Sequence, residues 1–343
     1  MADGEATVTF YREWDADPRV LADQIVAVVG YGNLGRSMAL NLRDSGMRVV
    51  IGNIDDGYRA AAAADGFEVG DIDRAVAAAD IVFVLLPDEV IPAVFRERVE
   101  PNLRPGAALC FASGYVLAYK LIDLPPRVDV LLLAPRMLGE EVRRTYLEGS
   151  GFLSYVSVEQ DATGAAKARL LALARVAGSL RRGALELPAE QEALLDLFVE
   201  QSLGPYLGLA MQLAFQVGVE AGLPPEALVL ELYMSGEMAR TLQTFADQGF
   251  FGSVKAHGLT AEYGGFIRTL ELDREAMERR FQTVLEEIRD GTFAARFQEE
   301  QAADYPTMTL IDEMTNGTDP MSEAERHVRA ALTAPPPPAP ELP

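Results

Sequence analysis

At 343 residues and 49% hydrophobic, the chain is long enough for two domains with a full core each. Its net charge of −22 argues against nucleic acid and anionic membrane surfaces as partners, and no apolar run approaches the roughly 18–20 residues of a membrane span. The single cysteine, Cys110, excludes a disulfide framework and reads as a small buried hydrophobe; with an acidic N-terminus unlike a signal peptide, this fits a reducing cytoplasm.

Residues 1–24 read as an arm, with Phe10, Tyr11 and Trp14 as anchors onto the domain behind it. The run Ile25 to Val29 then meets Gly30, Gly32 and Gly35 in G-x-G-x-x-G spacing, and a helical pattern (Met38, Leu40, Leu42) follows. Gly30 suits a tight turn after a buried strand, Gly32 lets the backbone approach a pyrophosphate, and Gly35 lets the helix pack on the strand. With Tyr31, Asn33 and Leu34 between them, these residues form the expected phosphate cradle of a dinucleotide site. A second strand, Arg48 to Ile51, ends near Asn53, Asp55 and Asp56. An acidic side chain about 20 residues past the glycines accepts from a ribose 2′-hydroxyl and repels a 2′-phosphate, so NADH is expected ahead of NADPH. Arg48 and Arg59 are the nearby cations in the sequence.

A third apolar strand, Ala79–Leu86, stops at Leu86, Pro87 and Asp88; two more, Ala107–Phe111 and Val128–Ala134, end at Ser113-Gly114 and at Arg136. Continuous apolar strands between helices predict a doubly wound parallel sheet, the Rossmann arrangement, with ligands outside the carboxyl ends of the strands. The glycine turn, Asn53 to Asp56, and Leu86 to Asp88 then share one rim.

The segments Leu85-Leu86-Pro87-Asp88-Glu89, Phe111-Ala112-Ser113-Gly114-Tyr115, Ala134-Pro135-Arg136, Tyr146 to Gly151 and Gln160 to Gly164 occur in this order in ketol-acid reductoisomerases. The chain resembles the short, class I form of that family over roughly residues 10–330. The resemblance implies a dinucleotide-binding domain over 1–185. It also implies an all-helical domain over 186–331, like the C-terminal domain of 6-phosphogluconate dehydrogenase and knotted. Residues 332–343 read as a disordered proline-rich tail. Helical segments are expected at Ala189–Leu203, Tyr206–Ala221 and Pro225–Asp247. The resemblance further implies a homodimer, or a larger even-numbered assembly, in which helical domains complete each other's sites.

Asp196 and Glu200, four apart, project from one helix face within an apolar neighbourhood. They match the family's Asp-Leu-Phe-x-Glu-Gln metal motif, and Glu231 on a later helix matches a third ligand. The fourth glutamate of the family falls on Ser235, so one Mg²⁺ is expected rather than two. Glu237 is six residues past Glu231, about 240° further round a regular helix. Ser113 stands where the family has a histidine, Arg136 where it has a lysine, and Glu140 where it has a second histidine. The family's substrate-binding Ser-x-Ser reads Ala256-His257-Gly258, and His257 is a candidate for relocated acid–base or substrate contact.

Glu200, Glu231, Arg136, Ser113 and His257 are therefore the candidate catalytic residues. The apparatus for hydride transfer is present, while pieces of the apparatus for alkyl migration are replaced. The reading is a divergent NAD(P)H-dependent reductase acting on a small 2-oxo acid, imine or related electrophile. An intact ketol-acid reductoisomerase of branched-chain amino-acid biosynthesis and a non-catalytic dinucleotide-binding protein are the alternatives.

Overall fold

The aliphatic runs of the first half become strands because both their faces are covered, so continuous hydrophobicity is what the environment selects. The computed structural model describes residues 8–253 and 258–333. The chain divides into two units, Met1–Asp196 and Leu197–Pro343. Among the described residues, the first unit carries nine strands: β1 (Phe10–Tyr11), β2 (Ile25–Val29), β3 (Arg48–Gly52), β4 (Glu68–Gly70), β5 (Ile81–Val84), β6 (Ala108–Phe111), β7 (Asp129–Pro135), β8 (Leu153–Gln160) and β9 (Gly183–Glu186). They lie in one sheet in the order β1-β9-β8-β7-β6-β5-β2-β3-β4. Strand order reverses at β2, which pairs in parallel with β3 on one side and β5 on the other. That switch point opens a crevice at the carboxyl ends of β2 and β5, where doubly wound sheets take their ligands.

The sheet departs from the expected all-parallel form at one edge. Pro135 pairs with Ser154, so β8 enters the sheet at the end where β7 leaves it and must run antiparallel. The helix Gly139–Leu147 between them does not carry the chain back along the sheet. The arm supplies an edge strand: Phe10 and Tyr11 pair with Leu185 and Ala184. Tyr11 is the anchor, buried and donating its hydroxyl to Glu186 Oε2 at 2.5 Å, whereas Trp14 is 82% exposed and anchors nothing. Asp129, fully buried at the start of β7, accepts from the backbone N–H groups of Ala162 and Thr163, from Thr163 Oγ1 and from Arg169. A buried carboxylate is tolerated only with such partners, and here it fixes the Asp161-Ala162-Thr163-Gly164 turn.

The last strand ends at Glu186 and the helix Ala189–Glu220 begins three residues later, its first N–H donated to Glu159 Oε1 at 2.9 Å. The two expected segments Ala189–Leu203 and Tyr206–Ala221 are one helix that runs through Pro205, whose missing N–H forgoes one backbone bond. The expected Pro225–Asp247 helix is broken instead. After Pro225–Val229 comes a π turn, Leu230–Met234, closed by Ser235 N–H on Leu230 O at 3.0 Å. Gly236 then takes a left-handed φ of +80°, and a new helix starts at Glu237. Further helices span Leu259–Glu271, Arg274–Arg289, Thr292–Ala302, Pro306–Met314 and Pro320–Thr333. Among the described residues, no helix is long and apolar enough to cross a membrane. The proline-rich tail lies, from residue 334, outside the described residues.

Candidate active site

The glycine turn closes by backbone contacts that leave no room for side chains. Gly30 has φ +95°, and a Cβ there would sit 2.5 Å from Leu85 O. A Cβ on Gly35 would sit 2.1 Å from Gly30 O, so the helix Asn33–Asp44 packs backbone to backbone on the turn. At Gly32 an added Cβ would meet no protein atom within 4 Å, leaving the space over the helix N-terminus to a ligand. A cleft of about 350 Å³ opens there, lined by Gly32 to Gly35, Val84 to Asp88, Ile91 and Phe111 to Ser113. Asn33, Leu34, Leu86, Pro87, Asp88 and Ser113, expected at a cofactor, all line this cleft.

Tyr31 lines the turn only through its backbone. Its ring is buried against Phe67 and its hydroxyl donates to Asp65 Oδ2 at 2.8 Å, which, after burial, holds the phenol pKa above its ordinary value. Tyr31 N–H donates to Asn53 Oδ1 at 3.1 Å, and Asn53 Nδ2 donates to Asp56 Oδ1 at 2.8 Å, tying the glycine turn to the loop after β3. Asp56 is the N-cap of the helix Gly57–Ala64, accepting from Arg59 N–H at 3.0 Å. Its Oδ1 therefore holds the loop, and Asp55 is exposed beside it. Arg48 lies at the opposite end of β3, 4.0 Å from Glu68, and is remote from that rim.

Beyond the cleft a second cluster starts at Ser113. Its hydroxyl donates to Asp88 Oδ2 at 3.3 Å and accepts from Tyr115 N–H at 3.2 Å. Gly114 does not face the cleft: its N–H donates to Glu192 Oε2 at 2.7 Å, and a Cβ there would sit 2.2 Å from Ala189 O. Glu192 Oε1 accepts from Arg136 Nη2 at 2.8 Å, and Asp196 Oδ1 accepts from Arg136 Nη1 at 2.6 Å. Arg136 also lies over the Tyr155 ring, 5.0 Å from its centroid. Its Nε is buried with no hydrogen-bond partner among the described residues. Glu192 is 1% exposed, and burial, against the pull of Arg136 and the Gly114 N–H, pushes its carboxyl up to about 7.

Glu192 is the functional residue that the sequence reading missed. The signal was present: it lies four residues before Asp196, one turn earlier on the same helix face. Asp196, expected as a metal ligand, is neutralised by a guanidinium that cannot lose its charge. Among the described residues, no three His, Cys, Asp or Glu side chains are grouped to hold a metal ion. Arg136 takes Asp196 Oδ1, so a divalent cation would be left Oδ2 with the guanidinium charge beside it. Glu200 and Glu231 belong to the second unit, where both are exposed. The π turn and Gly236 stand between Glu231 and Glu237, so their relation is not that of six residues on a regular helix. His257 lies outside the described residues.

Two family models match, together spanning most of the chain. "Acetohydroxy acid isomeroreductase, NADPH-binding domain" matches residues 20–183, and "Ketol-acid reductoisomerase, C-terminal domain" matches residues 189–334. Among curated relatives, the ketol-acid reductoisomerase (NADP(+)) of Sulfurisphaera tokodaii is 40% identical over 300 residues, covering 87% of this chain and 90% of its own. That of Pyrococcus abyssi is 40% identical over 290 residues, covering 84% and 86%. Among solved structures, an NADH-preferring ketol-acid reductoisomerase from an uncultured archean superposes with a TM-score of 0.90 at 33% identity, over 95% of this chain and 100% of that one.

Proposed function

The chain belongs to the ketol-acid reductoisomerase family, a family of NAD(P)H-dependent oxidoreductases, and on that premise we propose that it delivers hydride from NADH to the carbonyl carbon of a small 2-oxo acid. The observation that carries this reading is the clamped cation: Arg136 is held by Glu192 and Asp196, one residue beyond the end of β7. A 2-oxo acid brings a carboxylate and a carbonyl oxygen that gains negative charge as hydride arrives. A fixed guanidinium complements both, and it needs no reorganisation when the charge develops. Ser113 lies on the cleft with its one hydroxyl proton on Asp88, so it donates to the substrate oxygen only by turning from that carboxylate. NADH is favoured by Asp55, an acid placed for the ribose hydroxyls, and by the likeness to an NADH-preferring relative. Relatives named for NADP(+) weigh the other way, which direct titration of both nucleotides resolves.

The names of the relatives favour a second reading, the complete reaction with alkyl migration. Against it stand Ser113, Arg136 and Ser235 at positions that the resemblance gives to histidine, lysine and glutamate. Migration needs cations clamping two adjacent oxygens, and the Arg136 charge on Asp196 Oδ1 opposes a cation there. The Mg²⁺ expected at Asp196, Glu200 and Glu231 therefore enters no step of the reading. A homodimer forms part of the proposal, supported by a stripe of exposed apolar residues, Val199, Leu203, Tyr206, Leu213 and Val217, along one helix. The test is NADH consumption with 2-acetolactate and with the already rearranged 2-oxo acid, with and without EDTA, products identified by mass spectrometry. Reduction of the rearranged acid, with little dihydroxy-isovalerate from 2-acetolactate and no loss in EDTA, is expected. Efficient conversion of 2-acetolactate establishes the complete reaction instead, and no turnover of either acid overturns both.

A further inference from the structure

We propose that Asp71, which nothing in the cofactor motif points to, sets nucleotide specificity by neutralising Arg59 beside the ribose 2′-position. The inference rests on the dinucleotide reading of the cleft and not on which nucleotide is preferred. Arg59 is the third residue of the helix Gly57–Ala64, directly after the loop that carries Asp55 and Asp56. Its Nη1 lies 3.4 Å from Asn53 O and 2.8 Å from Asp71 Oδ1. Asn53 follows the carboxyl end of β3, where a dinucleotide places its adenosine ribose, and where an arginine would neutralise a 2′-phosphate. A cation is thus present where NADPH would need one.

Asp71 is what removes it from use. The residue follows β4 and occupies the N-cap position of the helix Ile72–Ala78, a place where an aspartate ordinarily accepts from the N–H two or three residues on. Its side chain makes no such bond. It turns to Arg59 instead, and the Arg59 hydrogen bond holds the Asp71 carboxyl below its ordinary pKa. A helix cap has been given up for this contact. Arg59 is then an internally neutralised cation, and Asp55 is the uncompensated charge facing the ribose. A 2′-phosphate entering that rim meets an acid and an arginine whose charge is already matched.

The pair is solvent-accessible, so its strength is modest, and replacing Asp71 forfeits no existing side-chain cap. Asp71→Asn and Asp71→Ser both keep an N-cap side chain while releasing Arg59. The experiment is titration of NADH and NADPH into the full chain, followed by nucleotide fluorescence. Wild type, Asp71→Asn, Asp71→Ser, Arg59→Ala and the double variant Asp71→Asn with Arg59→Ala are compared. In the wild type, Arg59→Ala changes NADPH affinity by less than about threefold. Both Asp71 variants tighten NADPH about fivefold and leave NADH within about twofold, the most that releasing an exposed ion pair gives. The double variant loses the gain. NADPH affinity unchanged in both Asp71 variants, or a gain that survives removal of Arg59, overturns the proposal. A wild type that binds NADPH more tightly than NADH overturns the NADH preference alone, because the response of NADPH affinity to Asp71 still decides this one.

Discussion

The two units bury their apolar side chains differently. In the first, Val26 to Val29, Ile81 to Phe83 and Leu131 to Ala134 are fully buried within a sheet covered on both faces. In the second, buried apolar residues are sparse among those described, Phe215, Val229, Val284, Ile288 and Val328 being the large ones. Meanwhile Leu203, Leu213 and Val217 stay 59%, 49% and 62% exposed on a single helix. Both units leave apolar side chains exposed, Trp14 and Leu138 among them in the first, but in the second they line one helix as a face of the kind that another protein surface covers. The difference separates two tasks. The glycine turn and its cleft lie in the first unit, while Glu200 and Glu231 lie in the second.

The largest effect expected is a break in the first unit. Gly35→Ala puts a methyl 2.1 Å from Gly30 O, and that neighbour is backbone which cannot rotate away. Overpacking of this kind costs at least about 3 kcal/mol. A fall in melting temperature of about 10 °C and loss of NADH binding by titration are expected. Retention of wild-type NADH affinity would show that the helix does not pack on the turn as described.

The next break falls on the other unit. Leu213→Glu with Val217→Glu charges the exposed stripe without touching the first unit. Sedimentation is expected to move from dimer to monomer, and turnover to fall at least about tenfold, while NADH affinity stays within about threefold. An unchanged sedimentation coefficient would remove the stripe from the interface, and weakened NADH binding would make the cleft depend on the second unit.

What the sequence made legible follows the same division. The glycine turn, the strands β2, β3, β5, β6 and β7, and the cleft residues were readable because their chemistry is local: a run of aliphatic residues, then glycines at fixed spacing. The short strands were not. Glu68–Gly70 and Phe10–Tyr11 are too brief for any period to show, and Leu153–Gln160, though eight residues long, mixes polar and apolar residues without a period of two. Asp56 looked like a ribose ligand and is a helix cap. The two roles draw on the same residue type at the same place, and only the Arg59 N–H contact separates them. Glu192 escaped because its importance lies in two partners, Gly114 and Arg136, that are 78 and 56 residues away. No local pattern encodes such a meeting.

The smallest effect is the most specific to the Arg136 cluster. Burial raises the Glu192 carboxyl from 4.5 to about 7, outweighing Arg136 and the Gly114 N–H, which pull it down. Between those two values the folded chain keeps a proton that the unfolded chain has released. The contribution of Glu192 to stability therefore falls as pH rises from about 4.5 to 7 and is level above. Asp44 and Asp65 act in the opposite sense and in a different window. Their arginine partners hold them below the ordinary carboxylate range, so the stability they add is lost only as pH falls through the acid region. Glu192→Gln removes one titration and leaves the others. Its stability relative to wild type is expected to rise by about 1–3 kcal/mol between pH 5 and pH 7.5, read from denaturant unfolding at fixed salt. NADH affinity should not follow, since Glu192 touches Arg136 and Gly114 rather than the glycine turn. A stability difference that stays flat across that range would mean that Glu192 is ionised throughout, its charge fully met by Arg136. The cluster would then be a permanent ion pair rather than one that loosens its hold on the arginine below neutral pH.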